Sequence, residues 1–407
     1  MRGTWILSLA ASLVAAAPAL AFQEQKPANP LPADIVAAWE KAGARVGWMG
    51  LDTRWFRPVG KPWTEGNIPA FEFSAWQPGM LSQLPQPQRG FALTFRMAQV
   101  PDALLKELSG LTSLQTLDLS TTQLNGTGLK ELVGLKSLMT LNLQGAKVTD
   151  VGLKELAGLK SVQTLGLGRT EITDATLKEF VRMKSLQTLI LDMTHVSDAG
   201  LKEVPQIESL QMLSLQKTAV TDVGVKELAG MKSLRRLILN ETQVTDGALM
   251  HLSKINSLRM LRLADTKVTD AALKNLAELD SLQTLSLDGT KVTDAGMKEL
   301  SRFKSLKVLD LGRTEVSDAG LRELVGLESL QSVNLGDTRV TDAGLKDLAR
   351  LKNLKGLFLP GTKVTDVGLN QLAGLKFLLE LYLSDTEVTD AGIARLQKAL
   401  PGAKISR

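Results

Sequence analysis

A chain of 407 residues with 44% hydrophobic residues, 48 basic and 43 acidic side chains has ample material for a core, so wholesale disorder is excluded. It has no cysteine and only two histidines, His195 and His251, which excludes disulfides, thiolate metal sites and a cysteine nucleophile and leaves little room for an imidazole-rich metal centre. A net charge of +5 is modest for this length and does not call for nucleic acid.

Residues 1–21 read MRGTWILSLAASLVAAAPALA. Arg2 is a positive start, Trp5 to Ala17 an apolar stretch, and Ala19-Leu20-Ala21 a small-x-small cleavage site. The apolar run is shorter than the ~20 residues that span a bilayer, and Pro18 interrupts its end. This segment resembles a bacterial Sec signal peptide. Export is therefore expected, to the periplasm or the outside, with contact to a membrane only through this leader. The compartment would be oxidising, yet without cysteine the fold must hold by packing. Residues 22–31, with Pro27 and Pro30, are expected to be a mobile linker.

Residues 32–88 are expected to form an N-terminal cap. Pro32 to Ala42 reads as a short helix with Ile35, Val36 and Trp39 inward, Pro32 in its first turn and Gly43 at its end. Phe71 and Phe73 mark a strand. All five tryptophans outside the leader lie here: Trp39, Trp48, Trp55, Trp63 and Trp76. A cap without disulfides needs such bulk over the first coil. The alternative is an aromatic site for carbohydrate or peptide. Residues 89–112 are a degraded repeat with Leu93, Phe95, Val100, Leu105, Leu108 and Leu111 at its apolar places.

From Ser113 to Leu400 the chain divides into twelve units of 24 residues. SLQTLSLDGTKVTDAGMKELSRFK, Ser281 to Lys304, is one of them. Numbering its places 1 to 24, places 2, 5, 7, 12, 17, 20 and 23 are apolar in all twelve, a period that signals a solenoid. Places 5 and 7 alternate with mostly polar neighbours, which is strand spacing. Places 17, 20 and 23 have helical spacing. Each unit is thus strand, turn, helix, turn, and identical strands after identical crossovers stack in parallel. At ~4.8 Å per strand, twelve make a curved sheet roughly 55 Å long.

Place 10 is Thr in eleven units, Ala146 being the exception. Its hydroxyl is expected to satisfy interior backbone groups of the neighbouring coil. Place 13 is Thr or Ser in eleven and suits a helix N-cap. Place 14 is Asp in eleven, from Asp150 onward, and suits the positive end of the helix dipole. Place 16 is small (Gly152, Gly200, Ala248), allowing close approach of the helix to its neighbour. Pro401-Gly402 stops the last helix, and residues 401–407 are expected to close the C-terminal end with a short strand at Ala403–Ser406.

This pattern resembles the leucine-rich repeat family, in its ribonuclease-inhibitor-like branch with strand and helix in every coil. Bacterial secreted repeat proteins with a phrase like VTDAGMKEL, here 292–300, are a close likeness. Place 10 departs from the family's usual Asn or Cys. The resemblance implies an α/β solenoid of horseshoe shape, with a parallel concave sheet, convex helices and no catalysis. It also reaches ubiquitin-ligase adaptors, against which the leader and the absence of a recognisable F-box argue.

No catalytic constellation, metal site or cofactor motif stands out. The repeated Thr-Asp pairs read as caps in preference to a calcium ladder. Lys or Arg at place 18 alternates with acid at place 19, a solvated surface and not a phosphate track. Chemistry hidden in residues 22–88 would have no histidine and few carboxylates to work with. The expected function is an exported monomeric scaffold that binds a protein partner on its concave face, where places 4, 6 and 8 point outward. Most units hold small or polar residues there, such as Thr116, Asp118 and Ser120. Ile190, Met212, Arg236, Ile238, Met260 and Arg262 break that rule on neighbouring strands, an apolar centre with arginine beside it. Phe358 and Tyr382 make a smaller second patch. These eight are the candidate partner-binding residues.

Overall fold

A computed structural model describes residues 31–50, 57–58 and 67–407. The expected leader, residues 22–30 of the expected linker, and Trp55 and Trp63 lie outside the described residues. The chain divides into two compact units, one ending at Ala219 and the other running from Val220 to Arg407.

The first unit opens with the helix Ala33–Lys41, entered through Pro32 and left through Gly43 at φ +95°. Trp39 is fully buried, while Ile35 and Val36 are only half-buried. The Trp39 ring stacks on Phe71, centroids 4.3 Å apart, and meets Phe91 edge-on at 5.7 Å. Its Nε1 donates to the Pro85 carbonyl at 3.0 Å, so burial of the indole leaves no polar atom unpaired. A strand that the sequence pattern did not announce, Arg45–Gly50, runs antiparallel to Asn67–Glu72. Asn67–Glu72 pairs in parallel with Phe91–Thr94, and that strand with Leu114–Asp118. Parallel strands then recur at Thr140–Asn142, Thr164–Gly166, Thr188–Ile190 and Met212–Ser214.

The second unit repeats the arrangement with Arg236–Ile238, Met260–Arg262, Thr284–Ser286, Val308–Asp310, Ser332–Asn334, Gly356–Phe358, Glu380–Tyr382 and Lys404–Ser406, each parallel to the next. In both units helical segments return the chain from each strand to the next, and the sheet is open, not closed. The core is a stack of leucine layers: Leu282, Leu285, Leu287, Leu300 and Leu306 are all fully buried, as are their counterparts in neighbouring coils. Strand pairing leaves place 7 free to continue the ladder, as when Leu287 N–H donates to the Asp310 carbonyl at 2.8 Å.

Leaving the strand requires a sharp turn. Place 9 has positive φ in every unit from Thr121 (58°) to Asp385 (56°). Glycine fills it at Gly145, Gly289 and Gly361, but Arg169, Met193, Glu241, Asp265, Arg313 and Asp337 adopt the same left-handed backbone. A side chain in that region is unfavourable by about 1 kcal/mol relative to glycine, so the turn geometry overrides residue preference. The next residue locks the turn. Thr170, Thr266, Thr290, Thr338 and Thr362 each donate their hydroxyl to the carbonyl three residues earlier, at 2.5–2.7 Å. This corrects the expectation that place 10 serves the neighbouring coil. The turn folds the hydroxyl back onto its own place-7 carbonyl, which is nearer than any group next door.

The helix starts show a second device. Thr293 is an N-cap whose side chain accepts from Ala295 N–H, and the same bond forms at Thr173, Ser197, Thr245, Thr269, Ser317, Thr341 and Thr365. That hydroxyl in turn donates to the aspartate of the preceding coil. Asp270 accepts the Thr293 backbone N–H at 2.8 Å and its Oγ1 at 2.7 Å. Asp294 takes Ser317 in the same way, Asp318 takes Thr341, and Asp342 takes Thr365. In the first unit Asp150 holds Thr173 and Asp174 holds Ser197. Place 14 therefore bolts coil to coil, beyond its favourable position at the helix dipole. Place 16 is small because a Cβ at Gly200 would lie 2.5 Å from the Asp174 carboxylate. Burial opposes the charge on Asp150, but the bonds from Thr173 and Thr176 outweigh it and hold its pKa below the usual carboxylate value.

Where the device is missing, the helix is poorer. The first repeat has Asn125 and Gly126 in place of the Thr-Asp pair, and Leu129–Gly134 is a 3-10 turn without a side-chain cap. Even with the device some α-helices are short: Asp198–Leu201 and Asp318–Leu321 are each followed by a 3-10 turn.

Candidate interaction surface

Strand side chains at places 4 and 6 face away from the leucine core, but facing away is not the same as exposure. Strands lie ~4.8 Å apart, so each side chain is flanked on both sides. Thr116, Asp118 and Ser214 are each 2% exposed. Two of the proposed contact residues are covered in the same way, and the expectation of exposed apolar groups is corrected for them. Ile190 is 3% exposed and lies in register with Ser214. Phe358 is 2% exposed because its ring lies over Gly356, where a Cβ would come within 3.1 Å of it, and is covered by Tyr382. The Phe358 and Tyr382 rings stack with centroids 5.0 Å apart and planes 13° from parallel. Tyr382, itself half-buried, is the accessible face of that pair.

Met212 and Ile190 belong to the unit that ends at Ala219, where Met212 pairs with Thr188 and is half-buried. The other four residues of the expected patch belong to the second unit. There Arg236 is in register with Met260, and Ile238 with Arg262. Arg236 is exposed; Ile238, Met260 and Arg262 are half-buried. Burial pulls the Arg262 pKa down from the ordinary arginine value, opposed by the charge of Asp310, and its Nε has no hydrogen-bond partner among the described residues.

Sequence reasoning missed the charged cluster one and two strands further on. Arg313 binds both oxygens of Asp265 at 2.8 Å and also bonds Asp288. Asp310 accepts from Asn334 Nδ2 at 2.8 Å and Ser286 Oγ at 3.1 Å. Burial, aided by the neighbouring charges of Asp310 and Asp265, pushes the Asp288 pKa up to about 6 against the pull of Arg313. The bonds to Asp265 and then Asp288 raise the Arg313 pKa further, so it stays charged. The sequence signal was weak: Asp192 and Asp118 stand at the places of Asp288 and Asp310 in other units, and Arg169 at that of Arg313, so no departure from the repeat marks the cluster.

Two further arginines were also missed. Arg235 and Arg259 occupy place 3, just before two adjacent strands, and both are exposed. Their backbones are joined, Arg259 N–H donating to the Arg235 carbonyl at 2.8 Å. Of the histidines, His195 is exposed with Nε2 3.3 Å from Glu171, and His251 is half-buried in the helix Asp246–Leu252. Among the described residues no group of three or more His, Asp and Glu could hold a metal ion, and no helix is long and apolar enough to cross a membrane.

Comparison with known proteins agrees with this architecture. The family model described as Leucine Rich repeat matches residues 110–133, 134–157, 280–301, 304–325 and 326–349. Comparison with curated protein sequences gives no match. Among solved structures, an internalin, InlF of Listeria monocytogenes, is similar with a TM-score of 0.55 and 23% identity, covering 74% of this chain and 88% of its own. A leucine-rich repeat protein of Leptospira interrogans gives 0.52 at 22% identity, with 82% and 93% covered. The mouse RP105/MD-1 complex gives 0.52 at 19% identity, with 76% of this chain and 52% of that one covered. The chain thus carries leucine-rich repeats and has the leucine-rich repeat solenoid fold.

Proposed function

We propose that the protein is an exported, non-catalytic scaffold of the ribonuclease-inhibitor-like branch, which acts as a monomer and binds a protein partner on its strand face. The observation that carries the reading is the strand face of the second unit. There Arg236, Ile238, Met260 and Tyr382 stand at accessible or half-buried places that other coils fill with small or polar residues. The leucine-rich repeat fold is typically a protein-interaction scaffold, and RP105 is held in complex with MD-1 in the mouse structure. Export rests on the leader sequence at residues 1–21. Of the tryptophans that the carbohydrate-binding alternative would use, Trp39 is fully buried against Phe71 and Phe91, while Trp48 and Trp76 are half-buried.

The test is affinity capture by the 22–407 chain from extracts of its own cells, followed by titration of the captured protein with the double variant Arg236→Ser, Ile238→Ser. Binding should fall at least tenfold, a loss of about 1.4 kcal/mol, with the thermal transition unmoved. A captured protein that binds the double variant and a Phe358→Ser, Tyr382→Ser variant as well as the parent would overturn the reading.

A further inference from the structure

The arginines of the second unit differ in how they are balanced. Arg302, Arg313, Arg322, Arg339, Arg395 and Arg407 each have a carboxylate within 4 Å. Arg235, Arg236, Arg259 and Arg350 have no ion pair or side-chain hydrogen bond among the described residues, and all four are exposed. Arg350 stands apart, after the helix Asp342–Leu348, whereas the other three are neighbours. All three lie in two successive coils, at the leading end of the strands Arg236–Ile238 and Met260–Arg262. Half-buried Ile238 and Met260 lie on those same strands, each in register with an arginine. Strand spacing of ~5 Å brings the backbones of these three exposed, unpaired arginines close together, so the strand ends carry a local positive charge that an anion would balance.

We infer that this part of the strand face docks a short acidic segment of a protein partner, in which carboxylates flank an apolar side chain. The inference rests on the strand-face reading above and adds the partner's chemistry to it. Arg235, Arg236 and Arg259 take the carboxylates, for which the guanidinium fork is shaped. Ile238 and Met260 take the apolar group. The surface also sets the length of the anionic stretch. Beyond the second arginine-bearing strand the face turns acidic, with Asp265 at that strand's exit, Asp288 just past the end of the next strand and Asp310 on the one after. A long uniform polyanion, a nucleic acid or a sulfated glycan, would have to run past those carboxylates and would have no group for Ile238 and Met260. Two strands at ~4.8 Å accommodate two to four residues of extended chain, so the matching segment is compact.

The probe is a fluorescein-labelled peptide with the core sequence EELDE, titrated with the 22–407 chain. Comparison probes are the same peptide with serine for leucine, a KKLKK peptide and a sulfated hexasaccharide. The acidic-apolar peptide should bind at least tenfold tighter than any of the three. Binding should weaken as sodium chloride shortens the Debye length. The triple variant Arg235→Ser, Arg236→Ser, Arg259→Ser should lose at least tenfold while its thermal transition stays with the parent's. Absence of binding, equal binding by the triple variant, or tighter binding of the hexasaccharide overturns the inference. The broader reading fails separately. A captured partner that ignores the triple variant but is lost by Phe358→Ser, Tyr382→Ser keeps the strand face as the docking surface and refutes the acidic segment.

Discussion

At the helix starts the chemistry hardly changes from coil to coil, whereas on the strand face place 6 changes at every step. Thr293 with Asp270, Ser317 with Asp294 and Thr341 with Asp318 are the same bolt three times over. The strand residues of those coils are Thr284–Ser286, Val308–Asp310 and Ser332–Asn334, with no shared side chain at places 4 or 6 except small size at some. A repeat must satisfy its own backbone in the same way each time, because each coil meets nearly identical neighbours. The strand face is released from that demand, so its departures report on something outside the chain.

The largest effect that sharpens the comparison comes from the shared core. Leu239→Asp places a charge at a fully buried position and should destabilise by about 3–5 kcal/mol. Because coils contact mainly their neighbours, the melting transition should also broaden. Calorimetry checks both, and an unchanged transition would mean that Leu239 does not belong to the core layer.

Next is the bolt. Asp294 accepts Ser317 N–H at 2.8 Å, Ser317 Oγ at 2.6 Å and Gly320 N–H at 3.0 Å. Asp294→Ala strips the acceptor from all three and should cost about 2–3 kcal/mol in urea unfolding. Asp294→Asn retains one acceptor oxygen and should cost less. If both variants unfold with the parent, the helix starts are not what joins the coils, and the contrast with the strand face collapses.

The smallest effect is read by pH. The Asp288 pKa is raised to about 6 in the folded chain, above its unfolded value near 3.9. A raised carboxylate stabilises the fold when protonated. Its contribution is complete below the unfolded value and is lost as pH rises through 6. Between pH 7 and pH 5 stability should therefore increase by on the order of 1 kcal/mol, and Asp288→Asn should flatten that slope. Asp366 has the opposite sign. The pKa of Asp366 is lowered by the bonds from Thr389, with Arg395 adding to them, so its support is lost only as pH falls below the ordinary carboxylate value. A protein whose stability is level from pH 7 to 5 would show Asp288 to be as well solvated as the strand-face residues around it.

The repeat period, the strand and helix halves, the leucine core and the N-caps were all legible, because each follows from spacing along one coil. What escaped depends on register between coils. Asp150 could be read as a partner of the helix dipole, but nothing in the order of residues says that it reaches Thr173, 23 positions on. The left-handed turn at place 9 was hidden for a different reason. Arg169, Met193 and Glu241 are not residues that announce positive φ, and three glycines in twelve units are too few to reveal it. On the strand face, alternation told which side Phe358 and Ile190 take but not how closely their neighbours crowd them. Arg235 and Arg259 were passed over because place 3 lies outside the alternating pattern, and only the strand register sets the two beside each other.

The bolts point in one direction along the chain. Each of these aspartates reaches forward: Asp102 accepts the backbone N–H groups of Asn125 and Gly126, Asp150 holds Thr173, and Asp366 holds Thr389. Asp390, in the last helix, has no such coil ahead and keeps a side chain 98% exposed, met only by Arg407 at 3.5 Å. An unused acceptor at the growing end is a carboxylate in water, which costs nothing. A polypeptide emerging N-terminus first thus presents, at the end of each finished coil, a carboxylate ready to receive the helix start of the coil about to be synthesised.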